Sequence, residues 1–209
     1  MKNIVSLLIV LLLAIGTRAQ SQDEAAIKKV FEDYKSAILN DKADAALDAI
    51  DTKTKNYYAA ILSQVKKADS TSIAAMSMVD KITVLGIRAR ANREEILSMQ
   101  GYDAFLFAIK KGMVGKNSVS NNALGAITIN KDFASAEMMS RGKSLPASYH
   151  FYRETDGWKL NLTELFALGN ASLKQMIDNS GKSENEYLLE ILSLLTNKEQ
   201  GYHLWKPVE

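Results

Sequence analysis

The sequence predicts an α+β fold, in which N-terminal helices pack on a curled antiparallel sheet of four or more strands and further helices follow. Two observations carry this prediction. Apolar residues recur at helical spacing between residues 23 and 111, whereas residues 124–163 alternate between apolar and polar and contain tight-turn pairs. A sheet with one apolar face must be covered, and we expect the helices elsewhere in the chain to cover it.

The first 19 residues differ from the rest and are typical of a secretory signal peptide. Lys2 gives a short basic start, Ile4–Ile15 is an apolar run broken only by Ser6, and Thr17-Arg18-Ala19 has a small-x-small cleavage pattern. The alternative is an uncleaved membrane anchor. The chain of 209 residues contains no cysteine, so it offers no lipidation site and no disulfide. We therefore expect an exported protein, periplasmic or secreted, that is not a lipoprotein and has no membrane span after cleavage.

The charge balance argues against nucleic acid as a partner. Cleavage after residue 19 would remove Lys2 and Arg18, which leaves 24 of the 26 basic residues against 24 acidic ones. Nucleic-acid binding usually needs a strongly basic surface, and this composition does not supply one.

The helical half is predicted element by element. Asp23 caps a helix that runs to about Asn40, and a shorter helix follows over residues 43–50. An acidic row should line the outside of this second helix as a solvated face: Asp41, Asp44, Asp48 and Asp51. The row lacks the glycine and the closing glutamate of a calcium loop.

Further helices are predicted on both sides of the sheet. A helical stripe runs from Tyr57 to Val65 and residues 69–72 form a polar connector. Ser77 begins the next helix as a capping box, although residues 82–87 also fit a buried strand. Asn92 caps a short helix, and Asp103–Lys111 forms another. Residues 115–122 are rich in Gly, Ser and Asn and mark the passage into the sheet, after which residues 173–177 and 186–195 are helical and residues 202–209 form a packed tail.

Two hairpins make the predicted sheet. The first turns at Lys131-Asp132 or over the longer loop Asn130–Phe133, and the second turns at Asp156-Gly157. A type I′ turn at Asp156-Gly157 would place Arg153 opposite Leu160. Alternation then puts one set of residues on the inner face of the second hairpin: Tyr149, Phe151, Arg153, Trp158, Leu160 and Leu162.

The hairpin segments Ala126–Met138 and Phe151–Leu162 resemble the NTF2-like (SnoaL-like) superfamily, and in particular exported bacterial proteins of that type. The resemblance covers about residues 22–50 and 116–166. It implies one domain over residues 20–209, with a helical insertion at about 51–115 and a C-terminal helical extension at about 167–209. It also implies a sheet that curls around a pocket closed by helices. Some members are isomerases, dehydratases or cyclases with an Asp/His pair or paired carboxylates in the pocket, and many have no known activity.

The candidate site residues all lie on the second hairpin. Tyr149, Phe151 and Trp158 could line a pocket on the inner face, and Arg153 could bind a carboxylate at its mouth. The candidate interface residues His150 and Tyr152 fall on the outer face. We predict no catalytic residue. We also predict no metal site and no cofactor, because two histidines and no cysteine leave few soft ligands for a zinc or haem site.

These observations favour an exported domain of the binding or interaction type over an enzyme. The partner would be a small apolar or acidic ligand in the pocket, or another protein or a second copy of the chain across the sheet. One alternative is a small hydrolase or isomerase of SnoaL type. Another is an inhibitor or immunity-type partner protein that presents its acidic helix to a basic target.

Overall fold

The computed structural model describes the backbone of residues 2–114 and 116–209, and the side chains of residues 20–114, 116 and 119–209. The predicted signal segment, residues 1–19, lies outside the residues whose side chains are described. Within the described part of the chain, no helix is long and apolar enough to cross a membrane.

The order of elements confirms the predicted α+β class, because helices precede and follow a four-stranded antiparallel sheet. The helices before the sheet are α1 (Lys2–Leu39), α2 (Ala43–Ala49), α3 (Thr52–Lys67), α4 (Ser70–Ala74), α5 (Met78–Arg90), α6 (Arg93–Ser98), α7 (Asp103–Lys110) and α8 (Lys116–Ser120). The strands are β1 (Asn122–Asn130), β2 (Phe133–Ser140), β3 (Lys143–Glu154) and β4 (Gly157–Asn161). The helices after the sheet are α9 (Phe166–Ser180) and α10 (Glu184–Thr196), and 3-10 turns span Thr163–Leu165 and Tyr202–Trp205.

The sheet is an open meander in the order β1-β2-β3-β4. The first predicted turn is confirmed at Lys131-Asp132, since Asn130 pairs with Phe133. Strands β2 and β3 are joined by Arg141 and Gly142, whose φ angles of 50° and 74° are those that a type I′ hairpin turn requires.

The predicted register of the last hairpin is wrong, because each residue of β3 pairs with a residue two positions earlier on β4 than expected. Arg153 lies opposite Trp158 rather than Leu160, and Glu154 pairs with Gly157. The turn residues are therefore Thr155 and Asp156. A type I′ turn at Asp156-Gly157 needs φ > 0 at both residues, and of the two only Gly157 has it, at 117°. Because the partner moves by two residues, every side chain keeps its predicted face.

The buried side chains form two apolar clusters. The first joins α1, α2 and α7 to the inner face of the sheet, around Phe31, Phe105 and Phe151. The second joins α3, α5, α6 and α10 to the C-terminal turn, around Leu85 and Leu188. Helices α3 and α7 contribute to both clusters, since Tyr58 packs against each of them and α7 places Phe105 in the first and Ala104 in the second.

Several local predictions change. Residues 82–87 are helical, as part of α5, and not a strand. The predicted connector 69–72 instead begins α4, because the Asp69 side chain accepts a hydrogen bond from the Ser72 amide at the helix start. The passage before the sheet contains α8, and the first helix after the sheet is longer than predicted.

The acidic row of α2 is also not wholly a solvated face. Asp51 is buried and caps α3 by accepting a hydrogen bond from the Thr54 amide at 2.8 Å. Its other carboxylate oxygen accepts a hydrogen bond from the Asn161 side-chain amide at 2.6 Å. A buried carboxylate needs such donors, and the capping role could not be read from the spacing of the aspartates.

Candidate functional site

The inner face of the sheet is filled by core packing. Phe151 is 0 % exposed, and Tyr149 and Trp158 are buried in the same apolar cluster. The Tyr149 ring lies 4.9 Å from the Phe31 ring, and its hydroxyl accepts a hydrogen bond from Asn122 Nδ2 at 2.8 Å. These three candidates lie together as predicted, but their neighbours are mainly side chains of this chain.

Arg153 is paired within the chain at the end of the hairpin. One guanidinium nitrogen lies 2.6 Å from Asp23, another lies 3.3 Å from Asp132, and the group covers the Trp158 ring at 4.5 Å. The hydrogen bond from Arg153 lowers the pKa of Asp23, which also accepts one from the Trp158 indole. A ligand carboxylate would have to compete with two carboxylates already present, and ligand binding by Arg153 stays a prediction.

A groove of about 280 Å³ borders Trp158, between α1, α2 and the last hairpin. The charged side chains that line this groove are paired with other groups of the same chain. Lys159 donates to the Asp48 carbonyl at 2.7 Å and lies 2.8 Å from the Asp156 carboxylate. The Lys29 ammonium lies 2.5 Å from Asp33 in the same groove.

His150 and Tyr152 lie on the outer face of the sheet, where Phe133 joins them. The Phe133 ring lies 5.2 Å from His150 and 5.4 Å from Tyr152. Glu164 borders this aromatic cluster, with its carboxylate 4.0 Å from His150 Nδ1 and 2.7 Å from the Lys53 ammonium. The hydrogen bond from Lys53 lowers the pKa of Glu164.

This outer face brings a serine, a histidine and a glutamate near one another, because Ser135 pairs with His150 across the strands. A serine can act as a nucleophile in such an arrangement only when the histidine lies within hydrogen-bonding distance of its hydroxyl. Among the side chains that the structure describes, Ser135 makes no hydrogen bond to His150, and Glu164 is engaged by Lys53. The residues described also contain no group of three His, Asp or Glu side chains that could hold a metal ion.

A further cavity, the four-helix cavity, lies where α3, α5, α7 and α10 meet. Its volume is about 140 Å³. The lining includes Tyr58, Gly86, Arg90, Ala108, Met113 and Leu195. A cavity of roughly 150 Å³ lined by aliphatic and aromatic side chains is large enough to hold a benzene molecule. The site is therefore of a size for a small apolar group.

Gly86 lets the Met113 methyl approach the backbone of α5 in the lining of this cavity. A Cβ at this position would lie 2.8 Å from the Met113 methyl and 3.9 Å from Leu192. Glycine in a helix interior costs about 1 kcal/mol relative to alanine, and here it keeps the wall of α5 free of a side chain. Leu195 lies at the mouth and is 59 % exposed.

Arg90 is the charged residue of this lining. Among the described residues, its guanidinium donates only to backbone carbonyls, to Gly86 at 3.4 Å and to Leu195 at 3.2 Å. Both distances are at or beyond the upper end of the usual range for such bonds. Partial burial lowers the pKa of Arg90, and among the described residues no carboxylate forms an ion pair with it.

Thr83 and Tyr58 are the hydroxyl residues of this lining, and Tyr58 is the aromatic one. Its ring packs edge-on against Phe105 at 4.9 Å and Tyr57 at 5.1 Å, which fixes its orientation. Burial raises the pKa of Tyr58 to about 12, so the hydroxyl is neutral and able to donate a hydrogen bond at physiological pH. The cavity thus combines an apolar wall with one cation, Arg90, and two hydroxyl residues, Tyr58 and Thr83, of which Thr83 donates to the Val79 carbonyl at 2.7 Å.

The comparisons with known proteins give no family. The chain matches no protein-family model, and no match was found among curated proteins or among solved structures.

The sequence did not identify the four-helix cavity. Its lining comes from four helices that are spread over residues 58–195 of the chain. The periodicity within one helix does not predict where several helices meet. The available signal was Gly86, an interior glycine in an otherwise amphipathic helix.

Proposed function

We propose that this chain is an exported binding protein, without catalytic chemistry of its own, whose ligand site is the four-helix cavity. The observation that carries the proposal is a cavity of about 140 Å³ with a largely apolar lining and three polar residues, Arg90, Tyr58 and Thr83. Ligand sites are usually concave and mostly apolar, with a few polar groups that fix orientation. The sequence of residues 1–19 supports export.

The NTF2-like relationship is part of the same proposal. Helices followed by an antiparallel meander agree with it, as does the cover of α1, α2 and α7 on the inner face. In this chain the inner face is occupied by its own core residues. We therefore place the ligand in the helical part, at about residues 51–115 together with α10, rather than in the sheet.

The experiment is a titration of the purified protein, carrying ¹³C-methyl methionine, with hexan-1-ol. Binding in the cavity should shift the Met113 methyl resonance saturably. Met176 lies exposed on α9, away from the cavity, and its methyl should not move. A Met113 signal that stays unchanged up to the solubility limit of the alcohol would refute the proposed site.

Two glycine variants sharpen this test. Gly86→Ala adds a methyl that must displace the Met113 side chain within the cavity lining, and Gly169→Ala is its matched control, because a Cβ there likewise approaches one side chain to under 3.0 Å, that of Val79 at 2.9 Å. A methyl that displaces one methylene of ligand costs about 0.8 kcal/mol, or about fourfold in affinity. We expect that loss in Gly86→Ala and not in Gly169→Ala.

A second candidate function is self-association through the outer sheet face. The specific observation is the aromatic cluster of Phe133, His150 and Tyr152, all half-buried on an open sheet. Its border carries both signs of charge, Lys53 and Glu164, so the face is complementary to a second copy of itself rather than to a strongly charged partner.

Sedimentation of the protein over a range of concentrations tests this second proposal. A dimer should form and should be weakened by Tyr152→Ala. Tyr202→Ala is the control, because Tyr202 is an exposed tyrosine of the C-terminal turn, far from the sheet. A chain that stays monomeric at all concentrations would exclude the dimer.

A further inference from the structure

We infer that the ligand of the four-helix cavity is a short-chain carboxylic acid, bound with its carboxylate on Arg90 and its hydrocarbon chain in the cavity. The inference rests on the proposed function and names the chemical class of the ligand. It follows from the charge state of the cavity mouth.

Arg90 is a cation that the protein leaves incompletely paired. Arginine presents five N–H donors in a planar fork that matches a carboxylate with two parallel hydrogen bonds. Here the fork makes two long bonds to backbone carbonyls, at 3.4 Å and 3.2 Å, and forms no ion pair with a described carboxylate. Donors therefore remain for an anion that approaches from the mouth.

The cost of burial points to the same ligand. A charge that is partly removed from water is unfavourable unless it is paired, and partial burial is the cause of the lowered pKa of Arg90. An anion that binds here regains this lost interaction, whereas a neutral or cationic ligand does not. The mouth thus selects for negative charge.

The size of the cavity limits the rest of the molecule. A volume of about 140 Å³ accommodates a group of about benzene's size, and most of the wall of the cavity is apolar. Ala108 and Met113 belong to this wall, and Tyr58 places a neutral hydroxyl donor within the lining. A short aliphatic or aromatic monocarboxylate fills the space, and a long-chain fatty acid would leave most of its chain in water.

Paired titrations with hexanoate and hexan-1-ol, followed by the Met113 methyl resonance, test the inference. Hexanoate should bind at least about tenfold more tightly than hexan-1-ol, which is the range expected for a hydrogen-bonded charge pair. Equal binding of the two would overturn the carboxylate assignment and leave the proposed site standing. Failure of both to bind would overturn the proposed site as well.

Variants at Leu195 separate charge from structure, because this residue is exposed and lines the mouth. Leu195→Glu brings a carboxylate to Arg90 and should abolish hexanoate binding while leaving hexan-1-ol binding within about threefold of the wild type. Leu195→Gln, with the same shape and no charge, should retain both. If Leu195→Glu binds hexanoate as well as Leu195→Gln does, Arg90 is not the anion site.

Arg90→Gln provides the direct test, with Arg93→Gln as its control. The Arg93 side chain also donates to a backbone carbonyl, that of Val208 at 3.0 Å, but it does not line the cavity. The preference for hexanoate over hexan-1-ol should disappear in Arg90→Gln and persist in Arg93→Gln. A preference that survives in Arg90→Gln would refute the inference.

Discussion

Replacing Arg88 by methionine should destabilise the fold and detach its C-terminal tail. The buried guanidinium donates to four carbonyls, of Val65 (2.8 Å), Leu204 (2.8 Å), Ala68 (2.8 Å) and Gln64 (3.1 Å). The carbonyls of Gln64, Val65 and Ala68 lie at the C-terminal end of α3, where a helix runs out of backbone donors for its last carbonyls. The fourth belongs to the turn Tyr202–Trp205. Arg88 therefore satisfies a helix end and fixes the tail to it.

The magnitude follows from these contacts. A hydrogen bond to a charged group contributes about 1.5–3 kcal/mol, so four of them would exceed the whole stability of many domains. Two effects reduce the loss. Removing the guanidinium recovers its desolvation cost, which is large enough to lower the pKa of Arg88 to about 10. The Gln64 carbonyl also keeps the backbone bond from the Ala68 amide at 3.0 Å. We expect a net loss of about 3–5 kcal/mol in Arg88→Met, as for one partner removed from a buried pair.

Urea unfolding followed by far-UV circular dichroism measures this loss, and Arg93→Met is the matched control. Arg93 binds the same tail through one exposed bond to the Val208 carbonyl, and its loss should cost about 0.5 kcal/mol. Hydrogen exchange reports the tail directly, because the Val208 amide donates to the Lys66 carbonyl at 2.9 Å. Arg88→Met should exchange this amide faster at a given global stability. Equal losses in the two variants would refute the reasoning.

Two other perturbations test the junction of α1–α3 with the sheet. Asn161→Leu leaves the buried side chain of Asp51 without its 2.6 Å donor and should cost about 2–4 kcal/mol in urea unfolding; a loss below about 1 kcal/mol would contradict a stabilising role for this hydrogen bond. Asp23→Asn tests pH dependence, because the hydrogen bond from Arg153 lowers the pKa of Asp23 from 3.8. A carboxyl group whose pKa is lower in the folded state than in the unfolded state stabilises the fold at pH values above its unfolded-state pKa. This stabilisation is lost as the pH falls through its folded-state pKa. The free energy of unfolding of the wild type should therefore exceed that of Asp23→Asn by about 0.5–1 kcal/mol at pH 7, and this difference should disappear below about pH 4. A difference that persists at pH 2 would contradict the pairing of Asp23 with Arg153.

Local sequence rules predicted the local structure well. Asn92 and Glu95 form the capping box that begins α6, and the turn at Lys131-Asp132 lies where alternation placed it. The faces of the last hairpin are as predicted even though its register is not, because a shift of two residues preserves alternation. The error at Asp156-Gly157 arose because an Asp-Gly pair fits more than one turn type, and the chain adopts one in which Asp156 keeps a negative φ.

Tertiary contacts could not be predicted in the same way. Asp51 belongs to an acidic row in sequence, but its position at the start of α3 and opposite Asn161 makes it a buried cap. The partner of this carboxylate is 110 residues away in the chain. No spacing rule reaches such a partner, and the same limit hid the four-helix cavity, whose lining is drawn from four helices.

Two arginines of α5 show how tertiary structure separates similar residues. Arg88 and Arg90 are both partly or fully withdrawn from water, neither has a carboxylate partner among the described residues, and burial lowers the pKa of both. Arg88 is satisfied by four carbonyls, three of them at 2.8 Å, so a ligand has nothing to add to it. Arg90 makes two long bonds beside an apolar cavity. Because unused donors next to an apolar cavity suit an amphiphilic anion, we place the proposed ligand site at Arg90, and Arg88 holds together the helices that line it.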